Sequence, residues 1–332
     1  MAPSLPKELF KIIFDEHEDD LFTLHSCILV NRNWCIVALQ YLWARPFTLL
    51  LSSQKAGHVQ SIENLITTFI ECFTDVDSLT HSPQLRKKNN KKFPLDYSFY
   101  LEEFRFKEIQ VLGWYTKFNS TDIQAMIAHL AVAYCPNLTT LSLTSHSPYR
   151  ADFHIDEKWT LPCLQNLSLS LILDNSVFST LSRAAHNLKS LSVKGPGGYN
   201  FAEQVPHYGL QNLIQSQHQL KTITVKIVIT NMSSLFKLLE SQSNSLQSIV
   251  LEDCRFYQDD LDIKLIKFHQ LASICIKQSW ILEGGLKSII EADLPKLRQL
   301  KFENTGIYES DWILLQNKYQ DQLVIITSSN FI

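Results

Sequence analysis

No apolar run in this chain approaches the ~18 residues that a bilayer-spanning helix needs. The first residues, MAPSLPKELF, lack the basic-then-apolar pattern of a secretory signal. Charge of one sign is missing too: the formal net charge is −3, so neither nucleic acid nor a membrane surface is expected as a partner. The seven cysteines are scattered and odd in number. Without an export signal they read as reduced thiols in a cytoplasmic or nuclear protein. Catalytic signatures are equally scarce. Gly195-Pro196-Gly197-Gly198 lacks the Lys-Ser/Thr of a phosphate-binding loop, and no HExxH, paired CxxC or Gly-x-Ser-x-Gly is present. His146, Asp152, His154, Asp156 and Glu157 share one loop, but their spacing matches no metal site and a solvated loop is expected. No cofactor, no metal and no enzymatic activity is expected.

What the chain does have is a ladder of leucines. The phrase Leu-x-x-(Leu/Ile)-x-(Leu/Val/Phe/Ile) starts at Leu138, Leu164, Leu188, Leu220, Leu246, Leu271 and Leu297, with an imperfect copy at Leu323. Subtracting neighbouring positions gives steps of 26, 24, 32, 26, 25, 26 and 26 residues, within the window of leucine-rich repeats. Each phrase alternates apolar and polar residues, as a half-buried strand does. In PNLTTLSLTS, Leu138, Leu141 and Leu143 are expected inward and Thr140, Ser142 and Thr144 outward. Segments with helical spacing follow, among them 122–134, 176–185, 232–242 and 310–319. One strand and one helix cannot cover their own apolar face, so stacked neighbours must bury it. The expected fold is therefore α/β: a leucine-rich-repeat solenoid, a horseshoe with parallel strands inside and helices outside. Earlier, PFTLLLSS (46–53) and HVQSIENLITTFIECF (58–73) read as strand then helix, and YLEEFRFKEI (100–109) as another strand. The run RKKNNKKF (86–93) is either a solvated loop or a nuclear-import signal, inside a segment (76–95) with the composition of a disordered insertion.

The outward strand positions form a surface that is mostly small and polar, crossed by a thin lysine line that includes Lys194, Lys226 and Lys277. After Lys194 comes the longest loop, KGPGGYNFAEQVPHYG (194–209), which carries Tyr199, Phe201 and Tyr208. Loops on a rigid scaffold commonly carry recognition. These aromatics either bind a target or pack over the edge of the array. Lys194, Tyr199, Phe201, Tyr208, Lys226 and Lys277 are the candidate substrate-binding residues. In regular arrays an Asn or Cys follows each strand; here it is clear only at Cys254, so an asparagine ladder is mostly absent.

Residues 4–47 follow other rules. Pro6 suits the first turn of a helix, and Leu9, Ile12 and Ile13 then form an apolar stripe. The acidic stretch DEHEDD (15–20) breaks the pattern before a second short helix with Leu21, Leu24 and Ile28. Asn31 or Asn33 can cap a third helix, with Trp34, Val37, Ala38, Tyr41 and Leu42 at helical spacing. Three helices this short make a poor independent core. Either the repeat array or an outside protein must cover the spare apolar surface.

The pattern Leu5-Pro6-x-Glu8-Leu9, Ile13, Cys27-x-Leu29-Val30-Asn31-Arg32-x-Trp34, then Leu42-Trp43, resembles an F-box over about the first 47 residues. Phe10 and Phe14 depart from it, standing where aliphatic residues are commoner. With the repeats behind it, the chain resembles the F-box/leucine-rich-repeat proteins, most like the divergent fungal ones. That resemblance implies an F-box at 1–47, an irregular first repeat with its basic loop at 48–99, and a solenoid at 100–332. It also implies docking to the Skp-type adaptor of a cullin–RING (SCF) ubiquitin ligase, with Leu5, Pro6, Leu9, Ile13, Val30 and Trp34 at the interface. The repeats would hold a protein substrate. The competing expectation is a non-enzymatic repeat scaffold whose N-terminal helices only cap the solenoid.

Overall fold

The computed structural model describes residues 7–52, 59–71, 100–105, 121–143, 160–170, 175–195, 208–226, 229–230, 232–256, 268–319, 324–327 and 330–331. The chain divides into two compact units, Met1–Ser142 with Ala151–Phe153, and Leu143–Arg150 with His154–Ile332. Leu5, Pro6, Tyr199, Phe201, the basic run 86–93, the segment 76–95 and the loop 144–159 lie outside the described residues.

The first unit opens with helices α1 (Lys7–Asp15), α2 (Leu21–Ile28) and α3 (Arg32–Ala44). Asp20 caps α2, accepting from the amides of Phe22 (3.0 Å) and Thr23 (3.1 Å). Its second oxygen accepts the Thr23 hydroxyl at 2.7 Å. These bonds, the side-chain one foremost, hold the Asp20 carboxyl below the usual aspartate range. Asn31 caps α3 in the same way, through the amides of Asn33 and Trp34. The core of the three helices is Phe10, Phe14, Leu24, Cys27 and Ala38, joined by Leu49. Helix α1 thus buries its Phe10/Phe14 face, while Leu9 and Ile12 of the expected stripe lie exposed.

Pro46 begins α4 (Pro46–Ser52), where a strand was expected. A short apolar run is ambiguous between strand and helix, and proline at the first helical position favours the helix. The residue before a proline is pushed out of the α region, so Arg45 takes φ −148° and the α3–α4 pair bends by 84°. Phe47 is buried against Phe69 of α5 (Val59–Glu71) and Phe104 of β1 (Glu103–Arg105), at ring distances of 5.3 and 6.0 Å. Helix α6 (Thr121–Tyr134) leads to β2 (Thr140–Leu143), which pairs in parallel with β1, Phe104 opposite Leu141. Leu138, Leu141 and Leu143 are buried, as their phrase requires. No single helix among the described residues is long and apolar enough to cross a membrane.

The second unit repeats one theme. Its elements are β3 (Asn166–Ser170), α7 (Asn175–Ala184), β4 (Ser190–Lys194), α8 (Tyr208–Gln215), β5 (Thr222–Lys226), β6 (Ile229–Thr230) and α9 (Met232–Leu239). There follow β7 (Ser248–Glu252), β8 (Arg255–Phe256), β9 (Ser273–Lys277), β10 (Trp280–Ile281) and α10 (Lys287–Glu291). The chain closes with β11 (Gln299–Glu303), β12 (Gly306–Ile307), α11 (Glu309–Tyr319), β13 (Val324–Thr327) and β14 (Asn330–Phe331). The longer strands β3, β4, β5, β7, β9, β11 and β13 lie side by side, all parallel and in chain order. The short ones form a second, five-stranded parallel sheet, also in chain order.

In-phase stacking makes each phrase leucine sit beside its equivalent. Leu167, Leu191, Ile223, Ile249, Ile274 and Leu300 are successive register partners, each at most 2% exposed. Burying one such side chain contributes about 1.5–3 kcal/mol, so repetition along the sheet accumulates a large core. The last copy needs a correction. Ile325 lies opposite Leu300 and Thr327 opposite Phe302, so the phrase begins at position 322, one residue before Leu323.

Two side-chain devices tie neighbouring repeats together. After β7, β9 and β11 the chain turns through Asp253, Gln278 and Asn304, each in the left-handed region at φ 53°, 48° and 48°. The next residues, Cys254, Ser279 and Thr305, are buried. Ser279 Oγ donates to Lys277 O (2.7 Å) and accepts from Cys254 N (3.1 Å), while Thr305 Oγ1 is within 3.1 Å of both Glu303 O and Ile276 O. Small hydroxyl and thiol groups thus fill the place expected of an asparagine ladder. On the helical side, Gln217 Nε2 donates to Ala185 O (2.8 Å) and its Oε1 accepts from Leu188 N (3.1 Å). Gln242 repeats this one step on, donating to Ile214 O and Gln217 O at 2.8 and 2.9 Å.

Candidate docking surfaces

The N-terminal helices spend their aromatic residues inward. The Trp34 ring meets Phe10 at 5.5 Å and Phe14 at 5.6 Å, both edge-on, and Tyr41 stacks on Phe14 at 5.5 Å. Trp34, expected at a partner interface, is half-buried and packs its ring from α3 against α1. The acidic stretch is also used internally. Asp15 accepts the Tyr41 hydroxyl at 2.6 Å, and burial together with that bond raises the Tyr41 pKa. Arg45 Nη2 lies 3.2 Å from Glu18 and 3.0 Å from Asp19, close enough for charge attraction, although neither oxygen meets hydrogen-bond geometry.

With the interior closed in this way, a set of large apolar side chains is left outside. Leu9 is 44% exposed, Ile12 60%, Phe22 52%, Leu29 77% and Val30 58%. Ile13 is half-buried. A groove of about 780 Å³ also opens beside α1, α3 and β1, lined by Phe10, Ile36, Gln40, Arg45 and Glu102 among others. Asp15 and Glu18, with the partners just named, also line it, as do Lys11 and Glu103.

On the larger sheet the open face carries the side chains between the buried positions. The lysine line is largely neutralised: Lys226 pairs with Glu252 on the next strand at 2.7 Å, and Lys277 with Glu303 at 3.3 Å. Lys301 also reaches Glu303. The two lysines, Lys301 first, hold the Glu303 carboxyl low, and Glu303 in turn raises the Lys277 pKa. Lys194 has no carboxylate partner among the described residues. Tyr208, expected in a loop, is the first residue of α8 and is 77% exposed. Sequence reasoning missed Trp280, half-exposed on the second sheet between Arg255 and Gly306 in register. It falls after the leucine phrase, where periodicity gives no signal.

None of the described cysteines is disulfide-bonded. No group of three or more metal-ligating side chains occurs among the described residues. No protein-family model matches the chain, and no curated protein matches it.

Proposed function

We propose that this chain is a substrate receptor of a cullin–RING (SCF-type) ubiquitin ligase. In this reading 1–47 is an F-box that docks on a Skp-type adaptor, and the repeats form a leucine-rich-repeat solenoid that holds a target protein. The chain contributes no catalytic residue. It works by proximity, raising the effective concentration of a target lysine near the charged ubiquitin-conjugating enzyme. Its compartment is the cytoplasm, the nucleus or both.

The observation that carries the reading is the exposure of Leu9, Ile12, Phe22, Leu29 and Val30 on helices whose core is already closed by Phe10, Phe14, Leu24 and Trp34. Covering the part of these five side chains that is still exposed would supply roughly 4–9 kcal/mol before association costs. A purely capping role would instead keep Leu9 and Trp34 buried against the first repeat, whereas Leu9 is exposed and Trp34 is occupied by Phe10 and Phe14. The solenoid part of the reading rests on parallel strands in chain order, in-phase leucines and the repeated corner at Asp253, Gln278 and Asn304.

The test is co-expression with a eukaryotic Skp adaptor, followed by size-exclusion chromatography with light scattering. A 1:1 complex that Leu9→Asp/Val30→Asp abolishes is the expected result. A chain that elutes alone, while a control F-box protein binds the same adaptor, overturns the reading.

A further inference from the structure

Two neighbouring strands of the larger sheet carry nearly the same nine residues. HNLKSLSVK spans 186–194 and HQLKTITVK spans 218–226. The register aligns them residue for residue, Ser190 with Thr222 and Lys194 with Lys226. Just before the strands, Lys221 N donates to Lys189 O at 2.9 Å, so Lys189 and Lys221 are neighbours as well. Still earlier, the His186 and His218 rings lie 6.0 Å apart. Every basic residue of one copy therefore stands beside its twin.

This arrangement is unfavourable by itself. Like charges directly opposite on neighbouring strands repel, and stacked strands lie only ~4.8 Å apart. Elsewhere on this face the same row alternates sign, with Lys226 on Glu252 and Lys277 on Glu303. On β3, β4 and β5 the outward residues Asn166, Ser168, Ser190, Ser192, Thr222 and Thr224 include no carboxylate, and Ser170, expected outward, is buried. The panel holds four lysines, of which only Lys226 has an acidic partner among the described residues. The chain as a whole has a net charge of −3, so this is a local reversal of sign. Lys189 and Lys221 are exposed, and Lys194 and Lys226 are half-exposed.

We propose that the β4–β5 panel is where the repeats grip their target, and that the gripped element is an extended acidic segment of a protein. The proposal rests on the receptor reading above and adds the chemistry of the target to it. Lys194 and Lys226 share the outward row of their strands with Ser190, Ser192, Thr222 and Thr224, whereas Lys189 and Lys221 precede the strands. The panel therefore presents one cation pair at the end of a strip of hydroxyls. Carboxylates on an extended segment neutralise that pair, and Ser192 and Thr224 beside it can hydrogen-bond the segment's backbone.

The probe is a fluorescein-labelled peptide with a glutamate pair at one end of a serine–alanine segment, titrated by anisotropy against the full chain. We expect saturable binding that weakens with added salt and falls at least tenfold in Lys194→Gln/Lys226→Gln. The control Lys287→Gln, on α10, leaves it unchanged. The double variant relieves the Lys194/Lys226 contact but also removes the surface Lys226–Glu252 pair, so its melting temperature should change little. No binding, equal loss in the control, or a large fall in melting temperature overturns the proposal. So does tighter binding of a single-stranded oligonucleotide of equal charge, or full competition by inorganic phosphate alone. The double variant still co-elutes with the adaptor if the receptor reading holds, so failure of the panel and failure of the docking face are read separately.

Discussion

Replacing Gln217 with methionine tests how one repeat is joined to the next. The side chain is 5% exposed and bridges two repeats, donating to Ala185 O at 2.8 Å and accepting from Leu188 N at 3.1 Å. Methionine fills nearly the same volume, so little cavity term arises. What is lost is the pairing of two main-chain groups on Leu188 and Ala185, both fully buried. Leu213 O, the third acceptor, keeps the Ser216 hydroxyl at 2.8 Å. An unpaired buried donor or acceptor costs about 1–3 kcal/mol; relief from desolvating the amide returns part of it. The net expectation is a loss of about 3 kcal/mol in a urea titration with unchanged slope. The neighbouring exposed Gln219→Met should change stability by less than about 0.5 kcal/mol. Hydrogen exchange should show the Leu188 amide losing protection in the first variant alone. A loss under about 1 kcal/mol, with Leu188 still protected, would refute the reasoning.

Ser279→Ala removes the acceptor of the Cys254 amide and should cost about 1–3 kcal/mol by urea titration, whereas Ser273→Ala on the open face should cost almost nothing. Trp34→Ala takes a half-buried ring from Phe10 and Phe14; about 2–3 kcal/mol should be lost, seen as early unfolding of the N-terminal helices by circular dichroism. Gly285→Ala places a Cβ 2.8 Å from Ile281 Cγ2 and 2.9 Å from Leu282 O. The backbone carbonyl cannot swing aside as a side chain can, so about 1–3 kcal/mol should appear as a lowered melting temperature.

The leucine phrase made the repeat legible because its alternation is a direct readout of which side chains enter the core. The strands at 166, 190, 222, 248, 273 and 299, and the helices beginning at 121, 175, 232 and 309, followed from it. Where periodicity was thin, reading by pattern failed. PFTLLLSS has no strict period, and Pro46 with the buried Phe47 and Leu49 makes it a helix. Leu323 looked like a phrase leucine, but pairing with β11 sets the register one residue earlier. In α1 two apolar faces compete, and the aromatic one wins the interior because Phe10 and Phe14 can reach Trp34 and Tyr41. The corner ladder is not legible as an asparagine pattern because Ser279 and Thr305 take the buried place that Cys254 holds one or two repeats earlier. Which lysines of the line are paired was not legible, because the glutamate partners of Lys226 and Lys277 lie about 26 residues away and meet them only once register is known.

The measurement that tests the central claim most directly pairs binding with stability in one variant. Leu9→Ala/Val30→Ala removes two side chains that are 44% and 58% exposed. Adaptor affinity by calorimetry and urea unfolding of the same protein are compared with wild type. A docking face predicts affinity down by roughly 10–100-fold with stability within about 0.5 kcal/mol of wild type. Unchanged affinity together with a loss of several kcal/mol in stability would contradict it and make these helices a cap for the repeats.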